Sequence, residues 1–114
     1  MERSDLISYA INFVSFLIRE KTNIDKIILF GSVARNDFDD ESDIDLFIDT
    51  KLDKNEIESI LELYEKSEDN KKYRLESVNN KISLKIGKLG EWKSIKRSII
   101  SNGILLYGKY EEMP

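Results

Sequence analysis

The sequence predicts an α/β (α+β) domain in which a small mixed β-sheet packs against helices. Three observations carry this expectation. Apolar residues recur at helical spacing in three separate stretches, short apolar or alternating runs lie between those stretches, and 114 residues leave room for one core.

The first stretch begins at Ser4, a fair N-cap, and places Leu6, Ala10, Phe13, Val14 and Leu17 on one helical face. That helix fades near Thr22-Asn23. The run Asp25-Lys26-Ile27-Ile28-Leu29-Phe30 ends at a glycine and reads as a buried strand. A short helix is expected from Ser32, followed by a polar loop to Ser42. Next, Ile44, Leu46 and Ile48 alternate with Asp43, Asp45 and Phe47, the period of a second strand.

Asp53 and Glu56 resemble the two ends of a capping box ahead of Ile57, Ile60, Leu61 and Tyr64 on one helical face. Beyond a polar stretch from Ser67 to Lys72, two strands are expected over Tyr73–Val78 and Ile82–Ile86, with Asn79-Asn80-Lys81 as a tight turn between them. Leu89, Trp92, Ile95, Ile99 and Ile100 mark another amphipathic helix, closed by Asn102-Gly103. Trp92 is expected to pack in the core. Ile104–Tyr107 is a last strand or an apolar anchor on this sheet or on a second subunit, which leaves a homodimer open. The domain spans residues 1–108, with a loose tail over 109–114.

Composition narrows the chemistry. The chain has no cysteine and no histidine, which removes disulfides, thiolate nucleophiles, His-based proton transfer and His-ligated zinc. Any metal is therefore held by oxygen, which favours magnesium or manganese. A net charge of −4 argues against strong unspecific binding to nucleic acid. Lys71, Lys72, Arg74, Lys81, Lys85 and Lys88 read as a solvated face with lysines on edge strands. No apolar run approaches membrane-spanning length, and the first residues lack a secretory pattern, so the expected compartment is the cytoplasm.

The chemistry concentrates between Gly31 and Leu46. Asp43 and Asp45 lie two apart, so their side chains share one strand face about 7 Å apart. Carboxylates that close favour protonation of one of them unless a cation sits nearby. A divalent ion meets that need and also bridges phosphate oxygens. Gly31, with no Cβ, lets a phosphate approach the backbone, and the Ser32 hydroxyl is a candidate donor to a phosphate oxygen. Arg35 is placed to pair with a phosphate or with a loop carboxylate, and Ser42 to hydrogen-bond the loop.

Taken together, Gly31-Ser32, ten residues, then Asp43-x-Asp45 resembles the signature of nucleotidyltransferases related to DNA polymerase β, and in particular the minimal nucleotidyltransferases. The flanking Gly31-Ser-x-Ala-Arg35 and Ser42-Asp-Ile-Asp-Leu46 fit the same pattern, and the element order resembles that family as far as Gly108. The resemblance implies that Gly31 and Ser32, with Arg35 and Ser42 nearby, bind the nucleotide, and that Asp43 and Asp45 are the catalytic residues holding Mg2+ or Mn2+. ATP would be the substrate and AMP the group moved to an acceptor hydroxyl. Small stand-alone proteins of this kind are often paired with a HEPN-type ribonuclease toxin and act as its antitoxin, some by adding AMP to a toxin tyrosine.

Two departures stand out. Asn36 follows the arginine where many relatives have glycine, and asparagine tolerates positive φ. Active members often carry a third carboxylate on a later strand. Ile82–Ile86 supplies no acid, which leaves Glu76 as a substitute. That gap motivates an alternative: a protein of this fold that neutralises its partner by binding alone.

Overall fold

In the computed structural model, which describes residues 2–75 and 78–108, the chain forms one four-stranded sheet with helices on both faces. Helix α1 (Arg3–Glu20) leads into β1 (Ile24–Phe30), the one-turn α2 (Gly31–Arg35) and β2 (Ile44–Thr50). Helices α3 (Lys54–Glu65) and α4 (Glu68–Leu75) follow, then β3 (Ile82–Gly87), a 3-10 turn over Leu89–Glu91, α5 (Lys93–Asn102) and β4 (Ile104–Gly108). The strand order is β3-β2-β1-β4. β1 runs antiparallel to both β2 and β4, while β3 runs parallel to β2. The expected mixed sheet is therefore present.

The alternation in β1 and β2 divides the apolar residues between two cores. Ile27, Leu29, Ile44, Leu46 and Ile48 face the larger one, filled by Leu6, Phe13 and Leu17 of α1 and by Ile57, Ile60 and Tyr64 of α3. Ile28, Phe30 and Phe47 face a smaller one closed by Ile99 of α5. Trp92 packs edge-on against Phe47, with ring centroids 5.9 Å apart, the core role expected for it. Its indole Nε1 would lie 2.7 Å from a Cβ at Gly87, whose φ is +155°, so that strand end needs glycine.

Four expectations are corrected. The first helix is capped at Glu2, not Ser4, and the Asp5 carboxylate accepts from the Glu2 N–H at 2.8 Å. Asp53 does cap α3, accepting from the Asn55 N–H at 2.9 Å, but Glu56 turns away to pair with Lys21 at 3.7 Å. The strand expected over Tyr73–Val78 is helix as far as Leu75. Tyr73 packs on Tyr9, and Asn70, three residues earlier, donates to the Tyr9 hydroxyl at 2.8 Å. That three-residue spacing satisfies a helix and would split the pair across the two faces of a strand.

The hairpin expected at Asn79-Asn80-Lys81 is absent as well. A parallel neighbour cannot be reached by a tight turn, and α3 and α4 form the crossover from β2 to β3 instead. Glu76 lies outside the described residues, as do residues 109–114. Of the two places open to Ile104–Tyr107, β4 joins the chain's own sheet, with Ile28 and Leu29 opposite Leu105 and Ile104.

Candidate active site

At one end of the sheet, β1 delivers Phe30 opposite Asp45 of β2, and the chain turns at once into α2. The turn needs Gly31. Its φ is +77°, and a Cβ there would collide with the Asp45 carboxylate, lying 3.1 Å from Cγ and closer still to Oδ2. The glycine and the second aspartate, far apart along the chain, are thus packed as one unit.

α2 is held from both ends of its C-terminal side. The Arg3 guanidinium donates to the Val33 carbonyl at 2.9 Å and to the Ala34 carbonyl at 2.5 Å, occupying carbonyls that a one-turn helix leaves free. Asn36 then terminates the helix with φ 64° and ψ 34°, so asparagine serves in a left-handed position, as its tolerance of positive φ allows. Arg35 bonds Asp37 at 3.1 Å on an exposed surface, the loop-carboxylate alternative of the two open to it. The Ser32 hydroxyl has no hydrogen bond among the described residues, which leaves it available to a ligand.

Asp43 lies just before β2 and is exposed, whereas Asp45 is half-buried within it. The register of β2 fixes the face. Ile44 and Leu46 are fully buried in the larger core, which puts Asp45 on the opposite side with Phe47. Burial raises the Asp45 carboxyl above the ordinary carboxylate range, and the Asp43 charge pushes it the same way, while Lys85 and Arg35 oppose them. Neither aspartate is engaged in a hydrogen bond or ion pair among the described residues.

Two open carboxylates, one with its carboxyl raised by burial and by its neighbour's charge, fit a divalent ion coordinated by oxygen. Among the described residues no third carboxylate joins them. Asp49, on the same face of β2, is taken up elsewhere: its carboxylate pairs with Lys88 at 3.0 Å and accepts from the Leu89 N–H at 3.4 Å.

The loop ahead of Asp43 is held by Ser42, as expected of it, and by Asn80, which the sequence did not single out for the site. Ser42 Oγ accepts from the Asp39 N–H at 2.9 Å, so the hydroxyl of this candidate nucleotide-binding residue already serves the loop. Asn80, 5% exposed, donates through Nδ2 to the Ser42 carbonyl at 2.6 Å and the Asp39 carbonyl at 3.3 Å. Beside it the Ile44 N–H donates to the Lys81 carbonyl at 2.8 Å. Asn79-Asn80 carries a turn-like composition, and only its long-range partners reveal a clamp. Arg3 left no signal at all, because its partners lie 30 and 31 residues away.

Comparison with known proteins agrees with this geometry. The family described as Polymerase beta, Nucleotidyltransferase matches residues 13–112. A candidate protein adenylyltransferase of Methanocaldococcus jannaschii is 42% identical over 48 residues, 42% of this chain and 46% of that protein. The chain thus spans less than half the length of that curated relative. A candidate nucleotidyltransferase from Sulfolobus solfataricus has a similar structure, with a TM-score of 0.61 at 16% identity over 94% of this chain and 84% of that one. A toxin–antitoxin solved with AMP-PNP gives 0.57 at 18% identity, and a mutant MntA-HpeT toxin–antitoxin gives 0.60 at 16%. Each of the last two covers 87% of this chain and 73% of its own.

Proposed function

This chain belongs to the polymerase β nucleotidyltransferase family, and from that premise we propose that it moves AMP from magnesium ATP to an acceptor hydroxyl. The acceptor in this reading is a tyrosine of a HEPN-type ribonuclease toxin, which the chain neutralises as its antitoxin in the cytoplasm. The observation that carries it is the packing of Gly31 against Asp45, which joins a bare backbone turn to a carboxylate pair. The relative named for protein adenylylation and the toxin–antitoxin neighbours, one of them with an ATP analogue, support the choice of nucleotide and partner.

In this reading Gly31 and Ser32 bind the triphosphate through the backbone and the free hydroxyl. Asp43 and Asp45 would hold Mg2+ or Mn2+, and Arg35 is close enough to exchange Asp37 for a phosphate. Ser42 and Asn80 keep the loop in place so that Asp43 stands beside Asp45. A divalent ion bound there supplies charge neutralisation at the α-phosphate and the leaving group. The acceptor oxygen forms the new bond to the α-phosphorus, the bond to pyrophosphate breaks, and the hydroxyl proton leaves to solvent.

A second reading, neutralisation by binding alone, is favoured by the lack of a third carboxylate beside Asp43 and Asp45 among the described residues. Intact-mass measurement of a co-purified partner, before and after ATP and magnesium, separates the two. A gain in AMP units with the native chain, absent in the Asp43→Asn, Asp45→Asn variant, supports transfer. An unmodified partner that stays bound, and is still neutralised by that variant, supports binding alone.

A further inference from the structure

The parallel pairing of β3 with β2 sets Ser83 directly beside Asp45 and Lys85 beside Phe47. Ile82, Leu84 and Ile86 pack against the larger core, so Ser83 and Lys85 stand on the same face of the sheet as the aspartate. That strand borders the carboxylate pair and brings to it a hydroxyl and an ammonium. Lys85 is exposed and makes no ion pair or hydrogen bond among the described residues, whereas Arg35 is paired with Asp37 and Lys88 with Asp25 and Asp49.

From this juxtaposition we propose that Lys85 is a phosphate-binding residue, its ammonium holding the triphosphate chain of the nucleotide against the carboxylate pair. The proposal rests on the nucleotidyltransferase reading above. The charge pattern supports it. One divalent ion on two carboxylates is neutral as a unit, so a triphosphate keeps its excess negative charge there, and a cation from the adjacent strand offsets part of it on the side away from α2. Lysine suits the task because its long flexible stem and three rotatable donors adapt to phosphate oxygens. Lys88, three residues on, cannot substitute, since Asp25 at 2.6 Å and Asp49 at 3.0 Å already engage it.

The test measures binding, not turnover. Fluorescence titration with ATP, ADP and AMP, each with magnesium, is run on the native chain and on Lys85→Ala and Lys85→Arg. Lys85→Ala is expected to weaken ATP binding about tenfold, by loss of one charge-assisted contact, with a smaller loss for ADP and the smallest for AMP. Lys85→Arg should recover most of the ATP affinity. Because Lys85 is exposed and unpaired, the melting temperature of both variants should match the native chain.

ATP binding by Lys85→Ala within twofold of native overturns the proposal while leaving the nucleotidyltransferase reading intact. An equal loss for all three nucleotides also overturns it, as the mark of a structural effect. A native chain that binds none of the three overturns both.

Discussion

Gly31 is the one residue type that fits beside Asp45: the carboxylate occupies the space a Cβ would take, and the backbone turns at φ +77°. The turn at Gly31 and the Asp45 carboxylate are therefore a single packed feature, and each constrains the other.

Gly31→Ala should cost at least about 2 kcal/mol, combining a left-handed backbone position with the collision at Asp45. Urea unfolding measures the loss. Binding of magnesium ATP should fall further than stability does, because the only relief available is to move Asp45.

Asp45→Asn should stabilise the chain without divalent ions. The folded-state carboxyl is raised by burial and by Asp43, so the unfolded chain ionises first, near pH 3.9. Stability then falls as pH rises from that value through the folded one, and the penalty is complete above it. The amide removes it, raising the melting temperature at pH 7. Magnesium should raise the melting temperature of the native chain and leave that of the variant unchanged.

Asn80→Ala should loosen the loop that positions Asp43 by removing both donations from Nδ2, at a cost of about 1–3 kcal/mol. Asn80→Asp should be worse, because it turns a carboxylate oxygen toward two carbonyl oxygens. Both variants should bind Mn2+ more weakly than the native chain, as read by paramagnetic resonance of the free ion.

Arg3→Ala should destabilise by about 1–2 kcal/mol through loss of the cap on α2. Arg3→Lys should recover little, since a point ammonium cannot reproduce the planar fork that spans two carbonyls. Chemical denaturation of the two variants side by side decides this.

At alkaline pH the aromatic cluster under α1 should fail. Burial raises the Tyr9 and Tyr64 hydroxyls, most strongly Tyr64, which donates to Asn12 at 2.7 Å. The unfolded chain ionises near pH 10 while these groups stay protonated. Their stabilisation is complete below that pH and is lost as pH rises toward the folded values. Urea midpoints between pH 8 and 11 should fall, and less steeply in Tyr64→Phe.

Much of this molecule was legible without coordinates because the signals were local. Helical spacing marked α1, α3 and α5, the apolar run ending at glycine marked β1, and alternation at Ile44, Leu46 and Ile48 marked β2 and set the face of Asp45. The spacing of Gly31-Ser32 and Asp43-x-Asp45 carried the family, since one turn and one strand start hold all four residues. What remained hidden depended on partners distant in the chain. Tyr73 and Asn70 belong to a helix because Tyr9 lies where a helix can meet it, and Phe47 is buried because α5 covers half of a face that also carries Asp45. Arg3 and Asn80 support the site through bonds across 30 residues or more, and β3 borders Asp45 by a parallel pairing whose register a linear pattern does not encode. Periodicity reports which way each side chain points, whereas pairing and capping depend on which surfaces meet, and only the folded chain brings those surfaces together.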